Sequence, residues 1–127
     1  MTRAQFEALV SEIGLSPVPL KFRNRIKNVA FIVEDEPSEE VRREEGLEEG
    51  ETLLGLYRGV PQTARGDNYG VGETLPDTIT LYQKPIEEVA GDDAPRVREE
   101  IRETIWHEVA HHFGLDHGAM GHRECHE

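Results

Sequence analysis

The run His107-Glu108-Val109-Ala110-His111-His112-Phe113-Gly114-Leu115-Asp116-His117 constrains this chain more than any other stretch. It reads HExxHxxGxxH. A helix advances roughly 100° and 1.5 Å per residue, so histidines four apart stand about one turn from each other and both rings reach one metal ion. Glu108 follows the first ligand and projects to the flank of the pair, where it is better placed to act on a water at the metal than to bind the metal. Gly114 can take the left-handed conformation that ends a helix, and the chain then turns back and brings His117 to the same ion. Three neutral imidazoles leave one zinc position open, the pattern of a catalytic rather than a closed structural site.

The motif requires a helix beneath it, and the pattern supplies one. Asp93 is a suitable N-cap, Pro95 falls in the first turn where proline is tolerated, and the helix is predicted to run to Phe113. With Val97 at zero, Ile101, Ile105, Val109 and Phe113 fall at about 40°, 80°, 120° and 160°, and Trp106 and Ala110 carry the apolar arc to about 220°. His107 and His111 fall at about 280° and 320°, outside that arc. Glu100 and Glu103 share the ligand side. They read as solvated carboxylates, and orientation of an imidazole from behind is the alternative role. His112, inside the apolar arc, reads as a hydrogen-bonded packing histidine and not as a ligand.

The rest of the chain alternates helix and strand signals, an α+β pattern. Thr2 with Gln5 is a capping box opening a helix to Ile13, with Phe6, Leu9, Val10 and Ile13 as its buried stripe and Gly14 as its stop. Leu20 to Asn28 reads as a short basic helix with Leu20, Phe22 and Ile26 inward and Lys21, Arg23, Arg25 and Lys27 as a solvated face. Val29 to Val33 is a continuous apolar run and is predicted to be a central strand covered on both faces. Ser38 caps a helix ending near Gly46. A second strand runs from Leu53 to about Val60, and a third over Thr78–Tyr82. Pro85 is expected to end the third strand, with a helical turn over Ile86–Ala90. The long loop from Gln62 to Pro76 is a candidate substrate rim.

Composition narrows the partners. The net charge of −12 comes from 26 acidic and 14 basic residues, a surface that repels phosphate backbones, so nucleic acid is not expected as a partner. One cysteine, Cys125, leaves no internal disulfide framework. Neither a leader pattern nor an apolar run of about 18 residues is present, so the expected setting is cytoplasmic, with no membrane association.

The ligand motif and the wording HEVAHHFGLD resemble those of the zincin metallopeptidases, in the metzincin form with histidine as third ligand. Chain length and the Pro-Ser after an apolar strand are similar to those of a family of small bacterial zincin-like metallopeptidases. The resemblance implies a minimal zincin-like fold: one domain over 1–127, a small mixed sheet of three to four strands on helices, the long active-site helix near the C-terminus, and 118–127 as a short tail. It implies zinc held by His107, His111 and His117, with Glu108 as general base for a zinc-bound water that attacks a peptide carbonyl. The substrate is then a peptide or protein, its backbone paired with an edge strand, either Leu53–Val60 or Thr78–Tyr82. The chain departs from metzincins in its methionine turn, because Met120 lies too close to His117 to return beneath the site. In the small family an acidic residue often stands near the third ligand, which makes Asp116 the second candidate. His122, Cys125 and His126 read as a frayed terminus.

Two other readings share these residues. A metal-dependent ribonuclease of the ribosome-maturation type uses HxxxHxxxxxH, which His107, His111 and His117 also satisfy. Glu108 and the negative charge argue against it. A non-catalytic metal-binding module is the second.

Overall fold

The structure, a computed structural model, describes residues 1–26, 28–59 and 75–115. Among them run α1 (Arg3–Ile13), α2 (Leu20–Arg23), β1 (Val29–Glu34), α3 (Glu39–Glu44), β2 (Gly55–Arg58), β3 (Asp77–Tyr82), α4 (Gln83–Ala90) and α5 (Ala94–His112). The class is α+β, as expected, with a mixed sheet of three strands.

The sheet order is β1-β3-β2, with β3 parallel to β1 and antiparallel to β2. This corrects the reading of Val29–Val33 as the central strand. Among the described strands β3 holds the centre and β1 lies at an edge, with Ile32 37% exposed. The sheet is covered on one face. In β3, Ile79 and Leu81 are fully buried while Thr78 and Thr80 on the opposite face are only partly so. The register puts Phe31, Ile79 and Tyr57 side by side, and Val33, Leu81 and Gly55 in the next row, all on the core face. An apolar run supplies residues for a two-sided strand, but among the described residues the outer face of β1 finds no second layer.

The core face packs on α1 and α5. Phe6, Val10 and Ile13 of α1 meet Ile79, Leu81, Val97, Ile101, Ile105 and Val109 in one cluster, which Val18, Ile86 and Ala90 complete. The capping box forms as read: Gln5 N–H donates to Thr2 Oγ1 at 3.0 Å and Thr2 N–H donates to Gln5 Oε1 at 2.9 Å. Ser38 Oγ likewise accepts from Val41 N–H at 3.1 Å. Asp93 stands at the N-cap of α5 but its side chain makes no capping bond.

Three boundaries shift. β2 runs over Gly55–Arg58 and so starts later than the Leu53 expected. α2 is a single turn ending at Arg23, and Leu20 points outward at 60% exposure, because Pro19 and the tight turns after Asn24 leave no room for a longer helix. Phe22 and Ile26 do pack inward. α4 starts at Gln83, so Pro85 lies inside its first turn, where its missing N–H has no helical partner to lose. The loop expected from Gln62 lies outside the described residues, apart from Leu75 and Pro76.

Candidate metal centre

α5 carries the site. Val97, Ile101, Ile105, Val109 and Ala110 are buried, so the predicted apolar arc is the packed one and the helix is anchored over much of its circumference. His107 and His111 stand on the remaining arc with Glu108 at its border, and the ligand atoms of the three lie within 4.8 Å of one another. The two imidazoles stand with ring centroids 4.2 Å apart and planes at 61°. Nitrogens on a single zinc at about 2.1 Å stand at most about 4 Å apart, so a small side-chain rotation brings this pair to one ion. Two imidazole nitrogens with an adjacent carboxylate also match the donor chemistry zinc prefers.

The helix ends as the glycine predicts. Gly114 has φ +79°, its N–H donates to His111 O at 3.0 Å, and Leu115 N–H donates to Ala110 O at 2.9 Å. These are the two bonds of a Schellman motif, which reverses the chain after the second histidine. His117, Asp116, Met120, His122, Cys125 and His126 lie outside the described residues.

Glu108 is positioned by a partner that helical periodicity does not reveal. The backbone N–H of Tyr57 in β2 donates to Glu108 Oε1 at 3.2 Å. Burial, the largest influence, pushes the Glu108 carboxyl up to about 7; the Tyr57 amide pulls it down, and the nearby negative charge of Glu45 pushes it up again. A carboxylate poised near neutrality suits proton transfer at neutral pH.

β2 lies close against α5. A Cβ built on Gly55 would stand 2.7 Å from Thr104 Cγ2, 3.0 Å from the Thr80 carbonyl oxygen and 3.6 Å from Glu108 Cγ. One on Gly59 would meet His112 Cε1 at 3.2 Å. Strand residues two apart and helix residues four apart advance by nearly equal lengths, about 6.6 and 6.0 Å. Gly55, Tyr57 and Gly59 therefore keep step with Thr104, Glu108 and His112. The alternation Gly-x-Tyr-x-Gly was the available sequence signal, since period two puts all three on one face.

Several readings of α5 change in detail. His112 is exposed, and it packs through a ring stacked on Tyr57 with centroids 4.0 Å apart and planes at 16°. This side of the helix faces β2, whose thin glycine positions leave the imidazole edge open. Glu100 is buried at 9% exposure, not solvated, while Glu103 is partly buried. Thr104 is 4% exposed and its Oγ1 has no hydrogen-bond partner in the structure. On the opposite flank Phe22 packs on Trp106 and Phe113 at 5.8 and 5.3 Å between centroids, and the Arg25 guanidinium lies 4.6 Å over the Phe113 ring. Lys21, Arg23 and Arg25 are exposed, as expected, while Lys27 lies outside the described residues; Arg25 also closes an aromatic cluster.

A mixed sheet with a long helix bearing two imidazoles one turn apart, and a carboxylate between them, defines a zincin-like protein. A family model described as zincin-like metallopeptidase matches residues 26–126, and the chain belongs to that family. Among solved structures it is similar to a conserved hypothetical protein from T. thermophilus, with 30% sequence identity, a TM-score of 0.53, and coverage of 88% of this chain and 94% of that one. A comparison with curated proteins gives no match. Among the described residues no helix is long and apolar enough to cross a membrane.

Proposed function

We propose that this protein is a zinc-dependent peptidase in which Glu108 is the general base. The observation that carries the reading is the meeting of His107, Glu108 and His111 within 4.8 Å, on a helix whose other side is packed into the core. His107 and His111 would hold the ion, with His117 as third ligand by the spacing of the motif and Asp116 as the second candidate. When bound, zinc supplies Lewis acidity, which polarises a carbonyl and lowers the pKa of water from about 15.7 toward 7.

The chain's own groups supply the proton chemistry. Glu108 Oε1 is occupied by the Tyr57 amide, so Oε2 is the atom that takes a proton from water and later delivers it to the leaving amine. Burial favours the protonated carboxyl, which helps Glu108 hold that proton between the two transfers.

The substrate backbone is best received by β2. Among the described strands β3 is paired on both sides and β2 on one, which makes β2 the candidate. Tyr82 N–H donates to Leu54 O at 2.9 Å. Antiparallel alternation then turns Leu56 and Arg58 toward β3 and the backbone groups of Gly55 and Tyr57 outward, beside Glu108. A peptide added there would pair by strand addition with the outward groups of Gly55, the Tyr57 N–H staying on Glu108. The acidic surface and single cysteine support a cytoplasmic setting with peptide rather than nucleic-acid substrates.

The test is a peptide-library cleavage screen of the zinc-loaded protein beside Glu108→Gln. The expected result is cleavage by the parent and loss of at least about a hundredfold in the variant, with one zinc per chain in both. Equal cleavage by the two would remove the peptidase mechanism and leave a metal-binding module. His117→Ala is expected to weaken zinc binding; affinity equal to the parent's would reject the third-ligand assignment.

A further inference from the structure

Tyr57 is held at three points by two elements, β3 and α5. Its hydroxyl donates to Asp77 Oδ2 at 2.7 Å, its ring stacks on His112 at 4.0 Å, and its backbone N–H donates to Glu108 Oε1 at 3.2 Å. Asp77 is the first residue of β3 and is 8% exposed, so its carboxylate is an interior partner and not a passing surface contact. In the register Tyr57 stands opposite Ile79, which makes Asp77 its diagonal neighbour on the helix-covered face. The phenol therefore ties the edge strand to the central strand independently of the backbone ladder.

An edge strand is hydrogen-bonded on one side only, and its outer amides are ordinarily free to shift with it. The outer amide of Tyr57 is the described protein donor to the Glu108 carboxylate. A small displacement of β2 would let the carboxylate rotate and put either oxygen toward the water. The glycines at 55 and 59 let the strand approach α5, but they supply no side chain to hold it there. Tyr57 supplies that hold.

We infer that Tyr57 is a positioning residue for Glu108: the Asp77–Tyr57–His112 assembly fixes β2 so that the residue 57 amide occupies Oε1 and leaves Oε2 for proton transfer. The inference rests on the reading of Glu108 as the general base. It assigns Asp77, a residue outside the metal motif, to the same task through the Tyr57 hydroxyl.

The test compares Tyr57→Phe, Asp77→Ala and Asp77→Asn in the zinc-loaded protein, by amide hydrogen exchange at residue 57 and by kcat and KM on a cleaved peptide. Tyr57→Phe keeps the ring and removes one oxygen, so the fold is retained. Tyr57→Phe and Asp77→Ala are expected to speed exchange at residue 57 and to lower kcat, each about tenfold, with KM and zinc content unchanged. Asp77→Asn keeps an acceptor oxygen and is expected to behave like the parent. In a Glu108→Gln background, Tyr57→Phe should cause no further loss of residual kcat. Unchanged exchange at residue 57 in Tyr57→Phe, or an equal kcat loss in both backgrounds, would overturn the inference. If Glu108→Gln alone leaves cleavage intact, the peptidase reading fails, and the exchange measurement still decides whether the phenol fixes the amide.

Discussion

Gly55 and Thr104 approach so closely that a methyl group at position 55 would stand 2.7 Å from Thr104 Cγ2. This contact sets the separation between β2 and α5, the helix that carries the candidate metal centre. The second obstacle, the Thr80 carbonyl oxygen at 3.0 Å, belongs to the sheet backbone and cannot swing aside.

Gly55→Ala is therefore expected to destabilise the protein by about 1–3 kcal/mol, the usual cost of overpacking. It should also push β2 away from α5 and weaken the bond from Tyr57 N–H to Glu108. Chemical denaturation measures the first effect. Faster hydrogen exchange at the Tyr57 amide, beyond the change at Leu56, measures the second.

The Glu108 carboxyl makes the stability of the metal-free protein depend on pH. Its folded-state value is about 7 against an ordinary glutamate value of 4.5. A raised value means that the folded state holds its proton more tightly. The stabilisation is fully present below about pH 4.5 and is lost as pH rises through about 7, by up to about 3 kcal/mol. Denaturation of the chelated protein at pH 5 and pH 8 should show that loss in the parent and not in Glu108→Gln. Zinc loading should reduce it, because a nearby cation favours the carboxylate.

Gly114 sits at φ +79°, where a side chain is strained. Gly114→Ala should cost about 1 kcal/mol and disturb the Schellman turn that follows His111. Under the three-histidine reading His117 lies beyond that turn, so zinc affinity should fall as well. Calorimetric titration with zinc beside a thermal melt separates the two effects.

Ile105 is fully buried on the core side of α5, in one cluster with residues of the sheet and of α1. Ile105→Ala should cost about 2–5 kcal/mol by opening a cavity. Its zinc stoichiometry should stay at one per chain if the ligand arc is as independent of the core arc as the helix geometry indicates. Loss of zinc at temperatures where the variant is still folded would contradict that separation.

Helix α5, the pairing of His107 with His111 and the stop at Gly114 were legible in the sequence because each depends on neighbours within about five residues. The same holds for the Thr2–Gln5 capping box and the Ser38 cap. Strand order was less legible. Val29–Val33 has the more continuous apolar run, yet Asp77–Tyr82 is the central strand, because centrality is set by which strands flank it and not by its own composition. Glu100 read as solvated, and its burial depends on what packs over its side of α5.

By itself, then, the sequence determined a buried helix with two imidazoles on its uncovered arc and a carboxylate at the border of the packed one, since the 3.6-residue repeat of a helix places them there wherever the helix docks. Only the tertiary structure decided what holds the carboxylate. Tyr57 and Glu108 are 51 residues apart, and their bond exists because β2 pairs with β3 and lies on α5 where glycine leaves room. No local periodicity carries that information. It arises when the sheet and the helix close on a common core, and that closure puts the amide of an edge strand against the residue that the motif marks for proton transfer.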